Sequence, residues 1–143
     1  MTLSSGENKR KHLELIQGVI NRLASNSFTI KGWAVTLVTA VFGLVIASSN
    51  KNLDIFWIAF VPVLPFWILD SYFLWQERLY RALYSKVSKK DEAEIDFDMN
   101  AAILGSKTNT FLSSFASLTL VLFYLSLILI IVLVVNLIPI AVK

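Results

Sequence analysis

One acidic residue, Asp70, lies inside an apolar segment that is typical of a membrane span, FWILDSYFLWQERLYRALY at residues 66–84. On insertion scales, a charged side chain costs roughly 2.5 to 3.5 kcal/mol at the bilayer centre, and less near its edge. Asp70 therefore needs a partner, a water-filled cavity or a proton. Two interpretations stay open: a structural ion pair or hydrogen bond, or a ring of carboxylates that selects cations at the inner mouth of an oligomeric pore.

Candidate partners of Asp70 come from the first span, from a neighbouring subunit and from the third span. They are Lys31, Arg78 of a neighbouring subunit, and the hydroxyl groups of Ser113 and Ser117.

Helical spacing places three further polar residues on the face of Asp70, namely Glu77, Arg81 and Tyr84. Glu77 and Arg81 stand four residues apart in acid-before-base order, which favours an ion pair on a helix. The face therefore continues from the apolar segment into a charged extension. We predict that these four residues line a pore or its inner mouth.

The first apolar segment carries a face of small residues, spaced by four, four, three and four positions: Gly32, Thr36, Ala40, Gly43 and Ala47. Small side chains let helix backbones approach closely, and hydroxyl groups can bond across the contact. This small-residue face predicts a helix-packing seam against another span of the same chain or, alternatively, a seam or pore lining in a homo-oligomer. Three spans offer little interior of their own, which favours an oligomer, and we predict a tetramer.

Basic residues form a candidate surface for a signal on the side where the N-terminus lies. The candidates are Lys9, Arg10, Lys11, Arg22 and Arg78. The simpler interpretation is the positive-inside bias together with attraction to anionic lipid. The alternative is a docking site for a phosphate-bearing ligand or an oligonucleotide.

The sequence contains no constellation that is typical of an enzyme. It has no cysteine and a single histidine, His12, and it lacks Walker, G-x-S-x-G and H-E-x-x-H motifs. The acidic run from Asp91 to Asp98 lacks the glycine and the terminal glutamate spacing of a calcium loop. We therefore predict no catalytic residues, no metal site and no cofactor.

Composition indicates the class of protein that positions these residues. Of 143 residues, 56% are hydrophobic and 16% are charged, and the mean hydropathy is +0.66. A soluble domain of this size cannot bury so much apolar side chain. We predict an all-α integral membrane protein with three transmembrane helices, an N-terminal amphipathic helix and a cytoplasmic extension of the second span.

Hydropathy and charge divide the chain into four segments. Residues 1–29 are predicted to form the cytoplasmic amphipathic helix, and residues 30–75 a hairpin of two transmembrane helices. Residues 76–110 form a cytoplasmic helical extension and a charged, solvated connector, and residues 111–143 contain the third span. The short stretch 48–54 is predicted to be a turn.

Local signals predict where the first two spans are interrupted. Asn26 and Ser27 offer a helix break or a fresh N-cap after the amphipathic helix. Pro62 and Pro65 should kink the second span or loosen its outer half.

Beyond the second span, an apolar stripe of Leu79, Leu83 and Val87 should follow one side of the charged extension. The third span, from Phe111 to about Ile138, is longer than a straight crossing needs. It should either tilt or project beyond the bilayer as one helix closed by Pro139 or, alternatively, divide into an interfacial piece and a span.

The distribution of Lys and Arg predicts the orientation. These residues precede the first span and fill the segment between the second and third spans, while Lys51 and Lys143 fall on the other side. By the positive-inside rule, the N-terminus and residues 76–110 are cytoplasmic and the C-terminus lies outside the cytoplasm.

Two stretches, INRLASNSFTIKGWAVTL at residues 20–37 and FWILDSYFLWQERLYRALY at residues 66–84, resemble signatures of small bacterial inner-membrane proteins. The chain resembles, among these, the membrane effector of the Hailong anti-phage defence system. The resemblance implies a bacterial inner-membrane location with a periplasmic C-terminus. It also implies an oligomeric channel that stays closed until a nucleotide or oligonucleotide from a nucleotidyltransferase binds. It assigns no ligand or pore residue in this sequence.

These observations predict a homo-oligomeric ligand-gated ion channel or membrane-disrupting effector of bacterial anti-phage defence, with the lipid bilayer as its surroundings. One alternative is a membrane anchor that recruits a cytoplasmic partner through residues 76–110. A second is a small transporter subunit, which Pro62 and Pro65 favour because broken helices form transporter binding sites.

Overall fold

A computed structural model of the protein describes residues 6–47, 53–105 and 109–141, and over these ranges the chain is helical without strands. This confirms the all-α class. The elements, in chain order, are α1 (Glu7–Ala47), a 3-10 segment (Leu53–Phe60), α2 (Val63–Ser88), two 3-10 turns (Glu92–Glu94 and Ala102–Leu104), α3 (Phe111–Phe115) and α4 (Leu118–Ala141). Most of the predicted turn at residues 48–54 lies outside the described residues.

Among the described residues, three helical stretches are long and apolar enough to cross a membrane, as the sequence predicts. They are Glu7–Leu44, Trp57–Ser88 and Leu118–Asn136.

The first helix, α1, is one continuous helix of 41 residues rather than an amphipathic helix followed by a span. At 1.5 Å per residue it is about 60 Å long, about twice the thickness of the hydrocarbon. The break predicted at Asn26 and Ser27 is therefore wrong. Neither residue forbids helical backbone, and the Ser27 side chain turns into the protein interior, where it finds a hydrogen-bond partner.

Helices α1 and α2 are antiparallel, and α4 joins them at one end to form the three-helix core. Successive turns of α1 and α4 supply most of its apolar residues, as expected for helices that bury one stripe. Its buried members are Ala34, Val38, Phe42, Ala59, Val63, Leu120, Tyr124, Leu127 and Ile131.

At the other end, the N-terminal half of α1 packs against the C-terminal half of α2. We call this unit, residues 7–26 with 76–88, the stalk. Its core consists of Ile16, Ile20, Leu79, Leu83 and Val87, together with Ala101 from the segment that follows α2. The predicted apolar stripe along the charged extension is confirmed, since it forms half of this core.

The two prolines interrupt the first part of the second apolar segment, where the sequence predicts a kinked or loosened helix. Residues Leu53–Phe60 form a 3-10 helix, and α2 begins only at Val63 with Pro62 at its N-cap. Pro65 then lies in the first turn of α2, where the helix needs no backbone N–H donor.

The third apolar segment is divided, so its interpretation as one tilted helix is wrong and the alternative division into two pieces holds. Helix α3 ends at Phe115, and α4 begins at Leu118. The Thr110 hydroxyl caps α3 by accepting a hydrogen bond from the Ser113 N–H at 3.1 Å. Closure at Pro139 is also wrong, because α4 continues to Ala141.

The connector, which we define as residues 89–105, is less solvated than its charge predicts. Ala101 is buried in the stalk core, and Ile95, Met99 and Leu104 pack against that core. The apolar residues that interrupt the charged run thus draw the connector back onto the stalk.

Candidate functional site

The most unusual feature of the protein is a buried carboxylate that binds side chains from two other helices. Asp70, on α2, is fully buried. Its Oδ2 atom lies 2.6 Å from Lys31 Nζ, and its Oδ1 atom accepts a hydrogen bond from the Ser27 hydroxyl, both on α1. The Tyr124 hydroxyl of α4 donates to Oδ2 at 3.3 Å. This confirms a structural ion pair and identifies Lys31 as the partner.

The ammonium group of Lys31 has three neighbours. Besides Asp70, Nζ donates a hydrogen bond to Ser27 Oγ at 2.8 Å and lies 5.8 Å from the centre of the Phe123 ring. The Lys31 side chain is 24% exposed, whereas the Asp70 side chain is 0% exposed. The ammonium therefore approaches the carboxylate from the accessible side.

Local structure explains how these groups meet. Ser27 and Lys31 are four residues apart on α1 and so point from the same face of the helix. Tyr124 is held by Trp67 of α2, whose ring stacks on it with centroids 5.3 Å apart and on Phe115 with centroids 4.8 Å apart. The Trp67 indole N–H also donates to the Phe115 carbonyl at 3.1 Å. The aromatic stack fixes α4 and α3 against α2 beside the ion pair.

Arg78 and the serines near it occupy a different place from the one predicted. Arg78 Nη1 donates to Ser113 Oγ at 3.4 Å and to Ser114 Oγ at 3.2 Å, so it joins α2 to α3. Within the protomer, Ser113 and Ser117 are not partners of Asp70. The sequence predicts that Asp70, Arg78 and the serines lie near one another along the helices, but it does not tell which of them form pairs.

The predicted polar face of α2 divides between different environments. Glu77 and Arg81 form the predicted ion pair, with Arg81 Nη2 lying 2.7 Å from Glu77 Oε1. The Glu77 side chain is mostly buried, the Arg81 side chain is exposed, and Tyr84 is exposed. The structure therefore does not bring these residues together with Asp70, which is buried inside the protomer.

The small-residue face of α1 points away from the protomer. Its residues are all exposed: Gly32, Thr36, Ala40, Gly43 and Ala47. The opposite side of α1 packs into the three-helix core through Ala34 and Val38. A Cβ atom added at Gly32 or Gly43 would meet nothing within 4 Å. Packing against another span of the same chain is therefore the wrong interpretation of this face.

The five predicted signal-binding residues do not converge. Lys9 Nζ donates to the Lys90 carbonyl at 2.8 Å, and Lys11 pairs with Glu14 at 3.0 Å. Arg78 lies against α3, while Arg10 and Arg22 are exposed on the stalk.

Sequence reasoning misses three residues of the site, Ser27, Trp67 and Tyr124. The signal for Ser27 is its position four residues before Lys31, which places both side chains on one face. Trp67 carries no such signal, since its partners come from α3 and α4. Within the described ranges, no three His, Asp or Glu side chains come together as a metal-ligand set.

No family model, curated protein or solved structure matches this chain. The resemblance to the Hailong effector stays a prediction.

Proposed function

We propose that the protein is the subunit of a homo-oligomeric membrane channel or membrane-disrupting effector, assembled through the small-residue face of α1. One observation carries the proposal: this face lies on the outside of the protomer, opposite the face that builds the three-helix core.

Physical chemistry supports a protein contact at this face. In lipid, helices associate through close packing and interhelical hydrogen bonds rather than through hydrophobic burial. Gly32 and Gly43 offer such close approach. The Thr36 hydroxyl donates to the Gly32 carbonyl at 2.9 Å, so it can face a neighbouring helix or water at no cost in unsatisfied donors.

Closed rotational symmetry is the usual arrangement of identical subunits. Copies that meet through this face would place α1 next to the symmetry axis, with its small and hydroxyl side chains around that axis. The stalk would then extend beyond the hydrocarbon on the predicted cytoplasmic side. In this proposal, Arg10 and Arg22 receive the signal there, and the resemblance suggests a nucleotide signal of anti-phage defence.

The assembly state in lipid nanodiscs, measured by native mass spectrometry, tests the proposal. We expect a ring for the wild type and smaller species for Gly32→Leu/Gly43→Leu, because leucine side chains hold neighbouring backbones apart. Ser126→Leu is the matched control, since Ser126 is an exposed small residue of α4. A monomeric wild-type protein would refute the proposal.

Ion flux tests the channel itself. Liposomes of phosphatidylethanolamine and phosphatidylglycerol that contain the assembled protein should release K⁺ when short oligonucleotides are added. The Leu variant should release less, and Ser126→Leu should match the wild type. If liposomes that contain the assembled protein retain K⁺ and small dyes with and without oligonucleotides, the channel is refuted and only the assembly stands.

The stalk favours a second candidate function, a membrane anchor for a soluble partner. It has a hydrophobic core of its own and exposes basic residues on α1. Recovery of a stoichiometric soluble protein with the intact chain, together with no flux, would favour the anchor.

A further inference from the structure

We infer that Asp70, Ser27 and Tyr124 form a binding site for a small monovalent cation, and that the Lys31 ammonium is its resident, tethered cation. The site lies inside each protomer, on the side of α1 away from the small-residue face. It is therefore independent of how subunits assemble and of any ion path between them.

The neighbours of Lys31 Nζ are those that a free ammonium or K⁺ ion would take. They are a carboxylate oxygen of Asp70 at 2.6 Å, the hydroxyl oxygen of Ser27 at 2.8 Å and the face of the Phe123 ring at 5.8 Å. Oxygen atoms and an aromatic face attract a cation whether or not a chain carries it. The Tyr124 hydroxyl donates a hydrogen bond to the same carboxylate oxygen, Asp70 Oδ2, at 3.3 Å and so helps to hold the carboxylate in place.

Burial makes a cation necessary at this position. Asp70 and Tyr124 are both fully buried, so water cannot compensate the carboxylate. An isolated buried charge is far more costly than a paired one. If Lys31 leaves, a free cation or a proton has to replace it, and the experiment below separates the two.

Lys31 can leave without dismantling the site. Its side chain is 24% exposed, and a lysine stem can carry its charge outward towards lipid headgroups. The remaining walls are held by contacts that do not involve Lys31. Trp67 stacks on Tyr124, and Asp70 is anchored by the hydroxyls of Ser27 and Tyr124.

The test is a cation titration of Lys31→Ala in nanodiscs at pH 8, with unfolding followed by tryptophan fluorescence. NH₄Cl and KCl are compared with N-methylglucamine chloride at equal ionic strength. We expect stabilisation by ammonium or K⁺ but not by N-methylglucamine, rising with the logarithm of the cation concentration above the Kd. The unfolding equilibrium constant should fall about tenfold at ten times the Kd. The wild type should not respond selectively, because its site is occupied.

Two controls identify the site. Lys31→Ala/Asp70→Asn should lose the response, since the carboxylate charge is gone. Lys11→Ala removes another lysine of the same helix and should behave as the wild type. An unselective or absent response of Lys31→Ala would overturn the inference, because a proton would then suffice. A Lys31→Ala protein that stays unfolded even when purified in saturating ammonium would overturn it as well.

Discussion

Replacing Glu92 with glutamine should loosen the connector from the N-terminal end of α1. The Glu92 carboxylate accepts hydrogen bonds from the backbone N–H groups of Asn8, at 2.9 Å, and Lys9, at 3.3 Å. These are among the first amides of α1, which the helix itself leaves without acceptors. A side chain more than eighty residues away in sequence thus caps the helix.

The free energy that Glu92→Gln should cost follows from the geometry of this cap. An N-terminal side-chain cap contributes about 0.5 to 2 kcal/mol, and a negative charge there adds roughly 0.3 to 1 kcal/mol. Glutamine keeps one acceptor oxygen for the shorter bond but loses the charge and the second acceptor. We therefore expect a loss of about 1 kcal/mol. This corresponds to roughly a fivefold increase in the local opening constant, since 1.4 kcal/mol is tenfold.

Hydrogen exchange measured on the full-length protein in nanodiscs checks this prediction. The amides of Asn8 and Lys9 should exchange about fivefold faster in Glu92→Gln. Glu94→Gln is the matched control, because the exposed Glu94 side chain accepts a bond only from Asp91 within the connector, at 3.4 Å. Unchanged exchange at Asn8 and Lys9, or equal acceleration in both variants, would refute the capping argument.

Two further predictions concern charge pairs. In N-methylglucamine buffer without ammonium or K⁺, Lys31→Met should cost about 3 to 5 kcal/mol of unfolding free energy, because the buried carboxylate loses its paired cation. Asp70→Asn should cost less because Lys31 can reach the lipid interface, and equal losses in detergent denaturation would contradict this asymmetry. In the connector, the hydrogen bond from Lys90 lowers the pKa of Asp96 from 3.8 to about 2. The stabilisation from that pair is thus complete above about pH 4 and is lost as the pH falls towards 2. Lys90→Gln should return the carboxyl titration midpoint towards 3.8 by NMR, and an unmoved midpoint would contradict the assigned cause.

The features that sequence predicts well are those fixed by neighbours along one helix. The spacing of Leu79, Leu83 and Val87 gives the buried side of α2 directly, and the Glu77–Arg81 pair needs only one helical turn. Hydropathy likewise identifies the three candidate spans. These signals are local, so no knowledge of the other helices is needed.

Features that depend on contacts between helices cannot be predicted from the spacing of residues along one helix. The small-residue face could pack inside or outside the protomer, and the choice depends on which side of α1 best fits α2 and α4. Ser27 is typical of a helix end, yet it lies inside α1 and its hydroxyl bonds Asp70 of another helix. Sequence could name Lys31 as a candidate partner because a buried carboxylate requires a cation. Only the structure excludes the other candidates within the protomer.

The continuity of α1 has a mechanical consequence. A rod of 41 residues without a proline or a break transmits rotation from one end to the other, because its backbone hydrogen bonds resist local untwisting. Glu92 bonds the first turn of α1 and Asp70 bonds its middle. The connector and the ion pair therefore hold the same helix at two positions along its axis. A rotation of α1 about its axis by the angle of one residue, about 100° at 3.6 residues per turn, would move Gly43 through the same angle. The same rotation would separate Lys31 from the Asp70 carboxylate.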